Sequence, residues 1–307
     1  MARSDDATGG NGSGVERRLS TATLSPRMIF FGMNCGFSLP PLRACLAAGY
    51  DIRAVVVPGR SLEASPIATI AAANAVPLLP FRDLRDVATL AAFQPELIVV
   101  ACFPHRLPEA LLALPRLGCL NVHPSLLPLG RGPEPIFWTL RRGERRTGVT
   151  IHLMDEGLDT GPILTQSGLD IAPGIRAPAL EATLAHLGGQ LLVATIATLQ
   201  AGQAHPQPQN AETATAASFP SAADWLVPTN LPATWAYNFV RGVAPLDGPL
   251  TLRVTRGGAC FPLSDALDVD PTGSLAAPIV LDGASLWAQF NSGTVRFQLP
   301  PSPGGKV

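Results

Sequence analysis

Three residues place an amide, an imidazole and a carboxylate within reach of one another: Asn121 and His123 in the run Asn121-Val122-His123-Pro124-Ser125-Leu126-Leu127-Pro128, and Asp159 in Gly157-Leu158-Asp159-Thr160-Gly161. Alternate side chains of an extended strand share a face, so if Leu120 to Pro124 closes a strand, Asn121 and His123 point at the same spot. Asp159 must then arrive from the second loop. Acyl-type transfer needs donors for a developing oxyanion, a group that takes a proton from the attacking atom, and a third group that fixes orientation or charge. Asn121, His123 and Asp159 can fill these roles without a nucleophilic side chain, which leaves the attacking atom to an acceptor. The same three residue types also serve as turn and capping residues in loops, and by themselves they leave both readings open.

The elements that must position them read as an α/β pattern. From Arg27 to about Gly202, short β-rich runs alternate with helical segments, the pattern of a mostly parallel, doubly wound sheet covered by helices. Met28 to Gly32 is the first strand; Ser38 stands where a helix cap is expected, with Pro40 and Pro41 in the first turn and Gly49 at the end. Further strands are predicted at Ile52–Val57, Val76–Leu79, Glu96–Cys102, Cys119–His123, Thr147–Met154 and Ile163–Ile171. Helices are predicted at Ile67–Ala75, Leu84–Phe93, Pro108–Leu114, Pro135–Arg142 and Ala179–Leu199. Leu97-Ile98-Val99-Val100-Ala101 is apolar on both faces and reads as a central strand.

Composition shifts to Pro, Gln, Ala, Thr and Ser over 204–223, which marks a linker. Residues 27–203 thus form the first domain, and 224–300, with a helix near Thr234–Val243 among short strands, read as a small β-barrel. Residues 1–26 read as a disordered leader and 301–307 as a tail.

With 307 residues and a net charge of −1, the chain has the length for two domains and no overall field to recruit nucleic acid or an anionic membrane. Neither GxGxxG nor a Walker-type GxxxxGK occurs, so dinucleotide and nucleoside-triphosphate binding find no support. Cys35, Cys45, Cys102, Cys119 and Cys260 show no CxxC or zinc spacing and read as reduced core thiols of a cytoplasmic protein; no metal site is expected. The apolar run Leu187–Leu199 is short and carries Gly188, Gly189 and Gln190, so no membrane partner is expected. Arg141, Arg142, Arg145 and Arg146 read as a solvated turn at a helix end. His105, His152, His186 and His205 show no partner in sequence, and Trp225, Trp235, Phe239 and Trp287 read as barrel core.

The flanks of the two loops carry a longer pattern. Leu117-Gly118-Cys119-Leu120 precedes Asn121; Arg131-Gly132, Pro135-Ile136 and Thr147-Gly148-Val149-Thr150 follow; and Gly157 to Leu164 completes the series. This ordered set resembles the folate-dependent formyltransferase family, over roughly Arg27 to Leu199. Asp224-Trp225 and Tyr237-Asn238-Phe239-Val240-Arg241-Gly242 resemble the start of the C-terminal barrel of its methionyl-tRNA-acting members; similar tails occur on sugar-nucleotide members.

The resemblance implies a Rossmann-like formyltransferase fold, Asn121, His123 and Asp159 as the catalytic set, and 10-formyltetrahydrofolate as co-substrate. It implies folate contacts from Cys102, Phe103, Leu107, Ser125, Leu126, Leu127, Asp155, Gly157 and Leu158. The acceptor it implies is a primary amine, on charged initiator tRNA or on a small molecule such as an amino-sugar nucleotide. Members acting on tRNA carry a basic insertion after the second strand, whereas Val57 to Leu79 holds Arg60 as its one cation, which weighs against strong nucleic-acid binding. Two rivals remain: hydrolysis of 10-formyltetrahydrofolate, with water in place of the amine, and an inactive folate-binding protein.

Overall fold

The computed structural model describes residues 25–59, 65–82, 86–255 and 257–301. Arg60, most of the expected leader and all but residue 301 of the expected tail lie outside the described residues. The chain begins with β1 (Arg27–Gly32), α1 (Leu39–Ala47), β2 (Asp51–Pro58), α2 (Pro66–Ala73), β3 (Leu78–Phe81), α3 (Asp86–Ala91), β4 (Leu97–Ala101), α4 (Glu109–Leu112) and β5 (Cys119–His123). It continues through α5 (Pro135–Arg142), β6 (Arg146–Leu153), β7 (Ile163–Asp170) and the long α6 (Ala177–Gln200). The seven strands form one sheet in the order β3-β2-β1-β4-β5-β6-β7. The first five are parallel, and β6 and β7 are added antiparallel at one edge.

Strand alternation sorts the apolar side chains into two cores. Met28, Phe30, Val55, Val57, Leu97, Val99, Leu120 and Val122 face the layer that contains α1 and α6. Ile29, Phe31, Ala54, Val56, Ile98 and Val100 face Leu90 of α3 and Leu111 of α4. β4 is 0–4 % exposed along its whole length, as expected of a strand covered on both faces.

Among the described helices α6 has the length and apolar composition of a membrane span. Its inner face is instead a packing surface of this domain, and the two glycines that interrupt its apolar run make the close approaches. A Cβ on Gly188 would stand 2.8 Å from Val122 Cγ1, and one on Gly189 would stand 3.1 Å from both Ala44 Cβ and the Pro40 carbonyl of α1. Ser38 is the N-cap residue of α1, as expected, but its side chain makes no capping hydrogen bond. The hydroxyl accepts from Met33 N at 3.0 Å and donates to the Ala101 carbonyl, so it ties the turn after β1 to the end of β4.

The C-terminal part contains β8 (Leu226–Pro228), α7 (Ala233–Val243), β9 (Thr251–Arg253), β10 (Cys260–Pro262), β11 (Asp265–Asp270), β12 (Ile279–Asp282), β13 (Ser285–Gln289) and β14 (Thr294–Gln298). These make the small barrel-like unit as a three-stranded sheet, β10-β9-β8, and an antiparallel four-stranded sheet, β11-β14-β13-β12. α7 packs on β11 and β14. Its Phe239 stacks on Trp235 at 5.4 Å and meets Phe137 of α5 at 5.9 Å, and Phe137 meets Trp225 at 4.9 Å, so Phe239 and Trp225 are core and join the two units, whereas Trp235 and Trp287 are half-buried. Arg141 lies over the Trp235 ring, and Arg146 pairs with Asp170.

Residues 204–223, polar enough to read as a spacer, follow a defined course against the first domain. Gln207 and Ile163 exchange backbone hydrogen bonds at 2.8 Å in both directions. Arg131 N donates to Thr215 O at 2.9 Å, Ala217 N donates to Arg131 O at 2.6 Å, and Glu134 N donates to Ala217 O at 2.9 Å. The segment is an extended strap laid along the loop between β5 and α5.

Candidate active site

β5 presents Asn121 and His123 on one face, and its antiparallel partner β6 sets His152 directly opposite Asn121. Asn121 Nδ2 lies 3.2 Å from His152 Nε2 and donates to Asp159 Oδ1 at 3.1 Å. His152 Nδ1 is 2.8 Å from the Leu153 carbonyl. A carbonyl only accepts, so Nδ1 carries the proton and Nε2 is the acceptor that fixes the Asn121 amide.

His123 is held the same way from the other side. Its Nε2 donates to Gly130 O at 2.9 Å, which turns Nδ1 toward Asp159 Oδ2 at 3.7 Å. Asp159 Oδ2 also accepts from Gly132 N at 2.8 Å, and Oδ1 stands 3.7 Å from His152 Nε2. The side chains of His123, His152 and Asp159 are 5 %, 2 % and 10 % exposed, so these contacts act at low effective dielectric.

Asp159 reaches this position from a left-handed turn, φ 55°, in the loop that follows β6. Gly132 meets it in an equally particular conformation. Its φ is 124°, and a Cβ there would stand 2.7 Å from the carbonyl of Ala217 in the strap, so only glycine lets the strap lie this close while its N–H reaches Asp159.

Charges settle accordingly. Burial pushes the Asp159 carboxyl up, but the neighbouring His123 and His152 imidazoles, charged in the acid range where Asp159 titrates, and the Gly132 N–H outweigh it and hold the group down to about 2. Burial pushes the His123 imidazole below its ordinary value, against the opposing pull of Asp159 and the Gly130 carbonyl. At neutral pH the site therefore holds an ionised Asp159 facing the free lone pair of a neutral His123.

The segments expected to touch folate flank this trio unevenly. Ala101 pairs with Val122, so Cys102 and Phe103 leave β4 beside His123. Cys102, at φ 56°, is exposed rather than a core thiol, as is Cys260 in the C-terminal unit, and Phe103 packs edge-on to Phe31 at 5.2 Å. Cys35 lies in the adjacent turn with its sulfur 3.5 Å from the Ser38 hydroxyl; the Cys102 thiol beside it, helped by Ser38, holds its pKa down to about 6. Leu107 and Leu127 are only 6 % and 3 % exposed. Leu127 also spends its main chain internally, donating to Thr150 Oγ1 and accepting from Gln166. Ser125 donates to Leu129 O at 2.6 Å, and Leu126 lies over Gly148. Asp155 Oδ1 closes its own loop on Gly157 N and Thr160 Oγ1, leaving Leu158 45 % exposed.

His152 is the site residue that the sequence left without a partner. Its one local signal is polarity inside an otherwise apolar strand, Val149-Thr150-Ile151-His152, where both polar residues are fully buried. Elsewhere, a cavity of about 420 Å³ is lined by Arg27, Asp51, Arg53, Glu96 and Arg116 at the amino ends of β1, β2 and β4, away from the trio. Its charges pair with one another, Arg116 with Glu96 at 2.7 Å and Arg53 with Asp51 at 2.8 Å, so we do not read it as the reaction site. Among the described residues no group of three His, Cys, Asp or Glu side chains is placed to hold a metal ion.

Comparison with known proteins places the chain among relatives. Residues 58–196 match the model of the formyl transferase family. The methionyl-tRNA formyltransferase of Syntrophus aciditrophicus is 40 % identical over 225 residues, 70 % of this chain and 72 % of that protein. The methionyl-tRNA formyltransferase of Chloroflexus aggregans is 37 % identical over 269 residues, 84 % of this chain and 85 % of its own. Among solved structures, an N-formyltransferase from Helicobacter canadensis, in complex with folinic acid and dTDP-3-aminofucose, shares the fold. It superimposes with a TM-score of 0.67 over 89 % of this chain and 99 % of its own, at 16 % identity. Relatives of this identity over this much of their length mean that the chain belongs to the formyltransferase family and is a formyl-transferring enzyme.

Proposed function

We propose that the chain transfers the formyl group of 10-formyltetrahydrofolate to the amino group of methionyl-tRNA, with Asn121, His123 and Asp159 as the catalytic set. The observation that carries the chemistry is the shared contact of Asp159 with Asn121 Nδ2 at 3.1 Å and His123 Nδ1 at 3.7 Å. The neutral amine attacks the formyl carbon and the carbonyl electron pair moves onto oxygen. Asn121 Nδ2 turns one hydrogen from its present acceptors to that oxygen, a donor worth about 3 kcal/mol in such sites. His123 Nδ1, whose lone pair is free because Nε2–H is held by Gly130 O, takes the amine proton. It becomes a donor to the oxyanion only once protonated, and the ionised Asp159 stabilises the imidazolium. Collapse of the tetrahedral intermediate breaks the bond to N10 of the folate, and His123 returns the proton to that nitrogen.

For the folate we assign the crevice beside Cys102 and Phe103, where β1 and β4 diverge to opposite halves of the sheet. The division into a catalytic domain of residues 27–203 and a barrel of residues 224–300 accompanies this reading, with the barrel holding the acceptor. Methionyl-tRNA is favoured by relatives of that name at 37–40 % identity over 72–85 % of their length. It also implies a cytoplasmic setting. A small amine is the second reading, favoured by the single cation, Arg60, between Val57 and Leu79.

The test supplies 10-formyltetrahydrofolate with either charged initiator tRNA or amino-sugar nucleotides and measures formylated product, with formate release in the absence of amine as control. Transfer to charged tRNA that weakens with salt is expected. Faster transfer to a nucleotide sugar would replace the acceptor, and formate release at the full turnover rate would replace transfer with hydrolysis.

A further inference from the structure

One side chain of the strap spans both catalytic loops. Gln209 Nε2 donates to the carbonyls of Asp159, at 2.9 Å, and Gly161, at 2.7 Å. Its Oε1 accepts from Arg131 Nε at 3.0 Å and from Arg131 Nη2 at 2.7 Å. The amide thus has both donors and its acceptor engaged, one end on the loop of Asp159 and the other on the loop of Gly130 and Gly132. Those two glycines are the main-chain partners of His123 and Asp159. Thr215, farther along the strap, holds Gly130 N through Oγ1 at 2.8 Å.

The Asp159 turn needs such a brace. A left-handed φ is more accessible to Asp than to most residues with a Cβ but is still a minor conformation, and here it brings the carbonyls of Asp159 and Gly161 within reach of one donor group. Opening that turn moves the carboxylate away from His123 Nδ1, where 3.7 Å already exceeds a hydrogen bond. We propose that Gln209 is a positioning residue for formyl transfer, fixing the left-handed turn that sets Asp159 against His123. It touches no reacting atom and acts through Asp159. The inference rests on the reading of Asp159 as catalytic.

A mutant cycle in the full chain tests it: Gln209→Ala, Gln209→Glu, Asp159→Asn and Gln209→Ala with Asp159→Asn, each assayed for kcat and KM with 10-formyltetrahydrofolate and charged tRNA. Gln209→Ala is expected to lower kcat roughly 10- to 100-fold, the scale of a small misplacement of a catalytic group, with both KM values within about 2-fold of wild type. Gln209→Glu keeps the size and the Arg131 pairing but cannot donate to two carbonyls, so it falls at least as far. It decides the matter if Gln209→Ala melts at a lower temperature. In the Asp159→Asn background the loss of Gln209 is expected to cost less than about 2-fold more, because the two act as one unit. Full activity of both Gln209 variants beside an impaired Asp159→Asn overturns the role of Gln209 alone. Losses that multiply in the double variant, or a rise in KM without a fall in kcat, also overturn it. Wild-type activity of Asp159→Asn overturns the catalytic reading and this inference together.

Discussion

Asp159→Asn isolates the charge of the carboxylate from its shape. Asparagine is isosteric and tolerates the left-handed φ of 55°, so the loop is expected to keep its course. What disappears is the attraction between the carboxylate and a proton arriving on His123 Nδ1, 3.7 Å away. At an effective dielectric of about 20, two unit charges at that separation attract by about 4.5 kcal/mol. If the proton has fully crossed in the transition state, kcat falls by roughly 2,000-fold; if it is half transferred, by roughly 40-fold. KM for the folate is expected to change little, because the charge pair forms only as the proton moves. Single-turnover formyl transfer followed as a function of donor concentration, with acceptor saturating, separates the two constants. A loss in kcat below about 10-fold, or a loss confined to KM, would refute the assignment of Asp159 as the group that supports His123 protonation.

Three further outcomes follow from the same structure. Burial lowers the His123 pKa, so the acid limb of kcat/KM is expected below the ordinary histidine value of 6.5, and Asp159→Asn, by removing the charge that opposes burial, is expected to move it lower still; a limb above 6.5 would count against a neutral His123. Gly188→Ala gains helix propensity but sets a Cβ 2.8 Å from Val122 on stiff β5; the overlap is expected to win and lower Tm by roughly 2–4 °C in a thermal melt, whereas a rise would mean the crossing relaxes freely. Cys35, held down to about 6, is expected to react with iodoacetamide at neutral pH well ahead of buried Cys45 and Cys119, both pushed up to about 12; mass spectrometry showing equal labelling would contradict this environment.

Much of the site was legible because its signals are local. The alternation that puts Asn121 and His123 on one face needs only the strand, and Pro135–Arg142 reads as a helix from its proline start and the glycine after it. The partners across the sheet were not. His152 faces Asn121 because β6 runs antiparallel to β5, and a pairing register between strands of one sequence leaves no local mark. Ser38 misled in part, for a related reason: a serine ahead of a helix is a cap by local rules, and Ser38 holds that position, but its hydroxyl is drawn to Ala101, 63 residues away. The strap is the largest gap. Its Gln, Thr and Ala composition is that of a spacer, and its order comes from partners such as Pro128, Arg131 and Ile163, which lie dozens of residues earlier in the chain.

That strap changes what a separable piece of this enzyme is. Composition draws the end of the catalytic domain near Gly202, yet the groups that brace Gly130, Gly132 and Asp159 lie at Gln209, Thr215 and Ala217. A fragment cut at the compositional boundary would keep Asn121, His123 and Asp159 and lose their scaffolding, whereas one extended through Ser218 would carry both. The catalytic unit is therefore longer than composition suggests, and a barrel exchanged between relatives must be joined beyond the strap.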